Sequence, residues 1–490
     1  MKPTKREVAK EHERFSFWKA TAFFGTLVIF GFIGLLWFAR PTTSTVEKRE
    51  LTPFPQLTLA GILDGSFFSG VDTWYADTYP LREGMITLDQ GVENLYGLRG
   101  EQLVAGGQTG EEIPTGPVDL AELAGRDRDT EATEQTGESG TATEPSDVSG
   151  SGEPSDSETQ ESETAQTDPP AGQGDVTTPA ELTGTIYITE NCGYGVYYFS
   201  QSASARYCMY VNSVAKACEG KATVYSLIGP ISAGIMLSDD VREQIGASDE
   251  NAAMTWMFEN MDPLVKTVNV YQTLKQHNNE YIYFHTDHHW TALGAYYAYC
   301  EFCRVKGIEP HKLSDFDTYV FEDFLGTFYS SSNKSPALAA NPDTVTAYIP
   351  NGTNSMEMYV SNGNGTYTKY NWRVVNDVSN YVKSELYATF AGGDQPFNYA
   401  HNENITDGSA VLVVKDSYAN AFIPFLVDHY EHIYWIDYRS YRSWCAWAGV
   451  GDVSISNFVE RNGITDVILL NNINSTGSSS LLDCMEAIGR

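Results

Sequence analysis

Beyond Gly184 the chain keeps one rhythm: short, continuous apolar runs separated by stretches of helical spacing. The runs occupy 221–229, 267–271, 281–284, 410–414, 432–436 and 466–470, and an amphipathic helix is expected over 204–219. Continuous rather than alternating apolar runs belong to strands buried on both faces. Their alternation with helices predicts an α/β domain with a mostly parallel sheet and flanking helices. Residues 344–375 break the rhythm with Asn-Gly turn signals at Asn351, Asn362 and Asn364, which read as a β-hairpin insertion.

In open α/β sheets, sites gather at the carboxyl ends of the strands. One run, 281–284, leads into Thr286-Asp287-His288-His289-Trp290-Thr291, and a helix is expected from Thr291 to Arg304. In an extended segment, residues i and i+2 project to the same side, so Asp287 and His289 can share a cavity while His288 points elsewhere. A carboxylate beside an imidazole fixes its tautomer and stabilises the imidazolium formed during proton transfer. Three readings stand at this point: a catalytic pair, a cap for the following helix, or a metal site. A nucleophile is needed to decide among them.

The run 410–414 ends in Lys415-Asp416-Ser417-Tyr418, and 419–427 has helical character. Ser417 therefore falls at a strand-to-helix turn, where backbone N–H groups and the helix dipole can stabilise an oxyanion. Alone, such a serine is also an ordinary N-cap. If both segments end strands of one sheet, Asp287, His289 and Ser417 can meet as a triad in that chain order.

The rest of the chain places this domain. Residues 1–19 are basic, with Lys2, Lys5, Arg6, Lys10, Arg14 and Lys19, and form a short cytoplasmic tail. Residues 20–39 carry no charge, and twenty residues at about 1.5 Å each span a bilayer core of roughly 30 Å. The positive flank keeps the N-terminus cytoplasmic and exports the residues beyond the apolar segment, which serves as an uncleaved single-pass membrane anchor. An aromatic segment, 40–110, is expected to pack on the later domain. Between Glu111 and Glu181 there are nineteen Asp and Glu against Arg126 and Arg128, a net −17, and no aromatic residue lies between Tyr96 and Tyr187. Residues 111–183 thus read as a disordered acidic insertion before the 184–490 domain. The whole chain carries −33, which excludes nucleic acid as a natural partner because phosphate binding needs Lys and Arg.

Other residues invite weaker readings. Thirty tyrosines and nine tryptophans, among them Trp435, Trp444 and Trp447, could offer platforms for sugar rings, although such residues are usually core. Seven scattered cysteines read as buried thiols, and Cys300 with Cys303 is too little for a zinc site. His429 and His432 are expected to complement the C-terminal dipole of the helix after Ser417.

Asp287-His-His-Trp290 together with Lys415-Asp-Ser-Tyr418 resembles the DHHW family of Gram-positive bacteria, which is similar to the SGNH-hydrolase-like domains of alginate O-acetyltransferases. Supporting landmarks are Phe324-Leu-Gly-Thr-Phe-Tyr329, Gly392-Gly-Asp-Gln-Pro396, Phe422-Ile-Pro-Phe-Leu426 and Ile436-Asp-Tyr-Arg439. The resemblance implies an SGNH-hydrolase-like, flavodoxin-like domain with a rearranged motif order, because the serine comes late. It implies Ser417 as nucleophile, His289 as base and Asp287 as its orienter, with His288 in the variable place. The Ser417 N–H is then the first oxyanion donor, with Asn420, Arg439 and Tyr418 as further oxyanion or substrate contacts. The function implied is O-acetylation of a cell-surface or exported polysaccharide, without metal or cofactor, the acetyl group arriving from a membrane-bound O-acyltransferase partner. An acetylesterase on the same triad and a non-catalytic glycan-binding or scaffold protein are the alternatives.

Overall fold

The computed structural model describes 186–489 continuously, 110–125 apart from Pro117, the short strands Thr43–Ser44, Arg49–Glu50 and Gln102–Val104, and a few positions between 54 and 78. The membrane-anchor expectation for 20–39 lies outside the described residues, as does most of 40–110. Among the described residues, no helix is long and apolar enough to cross a membrane. The chain divides into two units, 1–100 and 101–490. In the first, Thr43–Ser44 pairs antiparallel with Arg49–Glu50, and Phe54 packs edge-on against Trp74.

The second unit is a mixed α/β domain on an eight-stranded sheet. Its strands in chain order begin with β1 (Gln102–Val104), β2 (Ile186–Thr189) and β3 (Cys192–Gly195), which form a small antiparallel sheet of their own. The main sheet comprises β4 (Thr223–Gly229), β5 (Val265–Val268), β8 (Ser355–Ser361), β9 (Tyr367–Arg373), β10 (Asn398–His401), β11 (Ala410–Lys415), β12 (His432–Asp437) and β13 (Asp466–Asn472). Strands β6 (Asp317–Phe324) and β7 (Asp343–Ile349) pair separately. Across the main sheet the order is β9-β8-β10-β12-β11-β13-β4-β5. The five strands from β12 to β5 are parallel, and β10, β8 and β9 extend the sheet antiparallel.

Burial explains the centre. All side chains of β11 and β13 are buried, as their unbroken apolar runs require when both faces of a sheet are covered. Helix α1 (Gln201–Ala217) starts at Ser200, whose side chain accepts from the Ala203 N–H. Helix α2 spans Glu250–Glu259 and is capped by Asp249. Helix α3 (Ala292–Lys306) starts at Thr291 and ends at Gly307, whose left-handed φ of 82° suits the residue without a Cβ.

Five expectations change. Counted along the chain, the parallel strands lie in the order 2-1-5-3-4, not the 2-1-3-4-5 of the flavodoxin-like sheet, because β13 returns between β4 and β11. The run 281–284 joins no sheet among the described residues; its strand-like pairing is one isolated bridge, between Tyr283 and Trp290. The hairpin is β8–β9, at 355–373, and it extends the sheet edge, whereas β7 turns away to pair with β6. The disorder expected from 111 does not hold at the start of the acidic stretch. The Glu111 N–H donates to Phe199, the Glu111 carboxylate accepts from the Gln201 N–H, and Leu123 and Ala124 enter the core. Residues 126–185 lie outside the described residues. Finally, Trp435 is fully buried and Trp444 stacks on Phe397 at 4.4 Å, so of the three tryptophans only Trp447 is exposed.

Candidate active site

Strand β11 delivers Ser417. Immediately after Lys415, Asp416 caps a 3-10 turn, Ser417–Ala421, so the capping role falls to the aspartate and not to the serine. One Asp416 oxygen accepts the Tyr418 N–H at 3.0 Å; the other accepts the Asn472 N–H and the Ser475 hydroxyl, both at 2.8 Å. Asn472 ends β13, so this buried carboxylate ties the serine turn to the carboxyl end of the neighbouring strand.

The Asp-His-His segment is a bend closed at its base. Across it, the Thr291 N–H donates to Ile282 and the Phe284 N–H to His289. Gly294 permits the closure, since a Cβ there would lie 2.4 Å from the Ile282 carbonyl oxygen. At the other end, Asp343 accepts from the His285 and Thr286 N–H groups at 2.7 Å each, and from the Thr286 and Tyr281 hydroxyls at 2.6 and 2.5 Å. Trp290 is fully buried, and its indole N–H donates to the Tyr418 carbonyl at 2.9 Å, linking the bend to the serine turn.

These two segments bring Asp287, His289 and Ser417 together. His289 Nδ1 lies 2.5 Å from Asp287 Oδ1, and His289 Nε2 lies 2.7 Å from Ser417 Oγ. An ionised Asp287 accepts only, which assigns the Nδ1–H tautomer and leaves the Nε2 lone pair to the serine hydroxyl. Burial opposes charge on Asp287, but the imidazoles of His289 and His288 and the surrounding donors outweigh it and hold the carboxyl well below its ordinary range. Tyr387 stacks on His289 at 3.9 Å and 10°, and its hydroxyl donates to the Ser417 carbonyl at 3.0 Å. One tyrosine thus braces both residues.

Helix α4 (Thr327–Ser331) completes the surroundings of Asp287. The Thr327 N–H and hydroxyl donate to Asp287 Oδ2 at 2.8 and 2.9 Å. Because that hydroxyl proton goes to Asp287, the contact of 2.6 Å between Thr327 Oγ1 and His288 Nδ1 has the histidine donating. His288, which the spacing left without a role, therefore supports Asp287 through Thr327. Gly326 allows the approach: a Cβ there would lie 2.3 Å from Asp287 Oδ2. The ligand atoms of Asp287, His288 and His289 lie within 4.8 Å of one another, a span that suits a cation. The donors from His289 and Thr327 already fill the Asp287 carboxylate, and His289 Nε2 faces Ser417, so the hydrogen-bonded reading uses these atoms more fully.

The remaining sequence candidates sit beside this relay. The Tyr418 hydroxyl donates to the His288 carbonyl at 2.7 Å, and its N–H is held by Asp416, so both of these groups tie the serine turn in place. Asn420 Nδ2 donates to Asp394 at 3.0 Å. Arg439 pairs with Asp437 at 2.5 Å and Asp394 at 3.0 Å, and the fully buried Lys415 reaches the same two carboxylates. Burial pushes Asp394 up, but the Lys415 and Arg439 cations more than reverse this and keep it ionised. The ends of β11 and β12 are thus locked to the Gly-Gly-Asp loop by charge. Asp394, Thr327, Tyr387, Asp416 and Asp343 were not singled out by spacing; Asp416, Asp394 and Thr327 do lie within the motif and landmark runs that marked their segments.

His429 also departs from expectation. Burial, followed by the neighbouring His311, lowers it to about 4, so at neutral pH it is uncharged and adds nothing to a helix dipole. All seven cysteines are free thiols.

No curated protein matches the chain. Among solved structures, a DHHW family protein from Eubacterium siraeum is similar at 28% identity and a TM-score of 0.52, covering 62% of this chain and 94% of its own. Bacillus cereus PatB1 is similar at 18% identity and a TM-score of 0.50, covering 60% of this chain and 98% of its own, and shares the fold. The O-acetyltransferase domain of Pseudomonas putida AlgJ lies further off, at 11% identity and a TM-score of 0.32, with 61% and 96% covered. Matched by the DHHW protein family over residues 47–436, the chain belongs to that family.

Proposed function

We propose that this chain is a membrane-anchored, exported O-acetyltransferase acting on a hydroxyl of a cell-surface or secreted polysaccharide. The observation that carries the proposal is the unbroken relay Asp287–His289–Ser417, with contacts of 2.5 and 2.7 Å in a buried site. In this mechanism Ser417 Oγ attacks the carbonyl carbon of an acetyl donor while His289 Nε2 takes the hydroxyl proton. Collapse of the tetrahedral intermediate breaks the bond to the donor's leaving oxygen, which takes the proton from His289. The acetyl group now sits on Ser417. An acceptor hydroxyl then gives its proton to His289 and attacks the acetyl-serine; the second tetrahedral intermediate expels Ser417 Oγ, which takes that proton back from His289 and restores the free enzyme. Asp287 stays ionised throughout and stabilises the imidazolium.

The Ser417 N–H, at the start of the 3-10 turn, is the proposed oxyanion donor. A membrane-bound O-acyltransferase is the proposed acetyl source, and the apolar segment 20–39 the proposed anchor. We infer an SGNH-hydrolase-like domain with rearranged strands, consistent with a serine that comes late in the chain. Water in place of the sugar hydroxyl would make the same residues an esterase, so the acceptor alone separates the two activities.

The test is hydrolysis of a chromogenic acetyl ester by the purified chain, followed by transfer to a polysaccharide acceptor. Ser417→Ala and His289→Ala should each lower turnover by about three orders of magnitude or more. A folded wild-type chain that is inert both to acetyl esters and to a serine-reactive phosphonate would overturn the assignment.

A further inference from the structure

At the amino end of β12, opposite the edge that carries Ser417, three ligating side chains converge. His401 and His432 are direct partners in the antiparallel β10–β12 ladder, so their side chains stand on one face of the sheet, with rings 4.9 Å apart and 16° from parallel. Glu431 precedes the strand. Its N–H donates to Ser409, its carbonyl accepts from the Asn402 N–H, and its Oε2 accepts from the Gly408 N–H at 2.7 Å. This fixes the carboxylate with Oε1 turned toward both histidines, 3.9 Å from His401 Nε2 and 3.7 Å from His432 Nε2.

Those separations are too long for hydrogen bonds. They are close to the spacing of donors around one small cation: metal bonds of 2.0–2.2 Å put tetrahedral ligand atoms about 3.3–3.6 Å apart. The three ligand atoms already lie within 4.8 Å of one another, and closing the set on one ion requires the two near-parallel imidazole rings to tilt toward a common point. His432 has the orienting partner that metal-bound imidazoles use, since its Nδ1 lies 2.8 Å from the Tyr399 hydroxyl. With Nδ1–H donating to the tyrosine oxygen, Nε2 is left as the nitrogen with a free lone pair for a metal.

We propose that His401, Glu431 and His432 form a binding site for one divalent transition-metal ion of the zinc class. Two imidazoles and one carboxylate are a donor set for zinc, nickel or copper in preference to magnesium or calcium, which favour oxygen. The ion would clasp β10 to β12, where the antiparallel extension of the sheet meets its parallel core. His401 and Tyr399 also line a groove of about 810 Å³ that includes none of the reacting residues. Coordination positions left open by the protein are therefore available to water or to a polar ligand in that groove.

The test is calorimetric titration of the full-length, chelator-stripped chain with Zn²⁺, in excess Mg²⁺ to occupy exposed carboxylates, paired with a melting curve. Saturable binding of one ion per chain with a raised Tm is expected, and Co²⁺ should give the visible absorption of a low-symmetry site. His401→Ala and His432→Ala should each abolish the Tm rise, while Tyr399→Phe should weaken binding by about tenfold or more. His288→Ala should keep full binding, which separates this cluster from the Asp287 bend. The ligand side chains are part-exposed, and His401→Gln provides a second variant if an alanine proves unstable. The proposal fails if wild type shows no saturable binding, or if the double variant His401→Ala/His432→Ala binds as wild type does.

Discussion

Asp287 shows how few atoms set the chemistry of this site. One oxygen serves His289, and the other takes two donors from Thr327. Thr327→Val removes one hydrogen bond to a charged group, worth about 1.5–3 kcal/mol. Turnover should fall about 10- to 100-fold, and the melting temperature by several degrees, because the His288 Nδ1–H also loses its acceptor. Thr327→Ser, which keeps the hydroxyl, should restore turnover. A second buried carboxylate, Glu250, offers a test of stability. Burial raises it to about 8, and it accepts the Ile231 N–H at 2.9 Å. Its folded-state pKa lies above its unfolded value near 4.5, so its contribution is fully present below 4.5 and is lost as pH rises through 8. Relative to Glu250→Gln, wild type should lose stability across that window, by at most about 1.4 kcal/mol per pH unit in denaturant titrations.

The two functional segments are short elements pinned by distant residues. Asp416 is the clearest pin: removing its carboxylate leaves the Tyr418 and Asn472 N–H groups and the Ser475 hydroxyl without their acceptor. Asp416→Ala should therefore cost about 3–5 kcal/mol in a denaturant melt and abolish ester hydrolysis, whereas an exposed Asp→Ala elsewhere should do neither. Much of this arrangement is legible in the sequence. The i, i+2 spacing of Asp287 and His289, and a serine after an all-apolar run, pointed to the residues that meet. The reason differed, because 281–284 is the stem of a bend and not a strand of the sheet. What builds that bend is Asp343, on β7, and the Thr327 donors on α4, both from segments distant in sequence. Local periodicity carries no information on such partners. The strand order was hidden for the same reason: an apolar run announces that a strand is buried, not which neighbour it takes.

At the scale of the molecule, the parallel core holds the relay at its carboxyl edge, and the antiparallel extension carries a separate polar groove toward the other edge. Strands β1 and β2 pair directly although more than eighty residues separate them in the sequence, so the two ends of the intervening chain lie side by side in one small sheet. Within it, 110–125 packs on the core. Replacing 126–185 with a Gly/Ser linker of about 20 residues, with a mean reach of about 25 Å, should leave the melting temperature and ester hydrolysis of the chain unchanged. Loss of folding would instead assign that segment a structural part. In the terms of a gene, such a neutral exchange would make 126–185, and not the core-packed 110–125, a tolerant splice point. Codons gained, lost or repeated there would leave the register of every described strand in place, so descendants of this chain could alter reach and charge while inheriting the same relay.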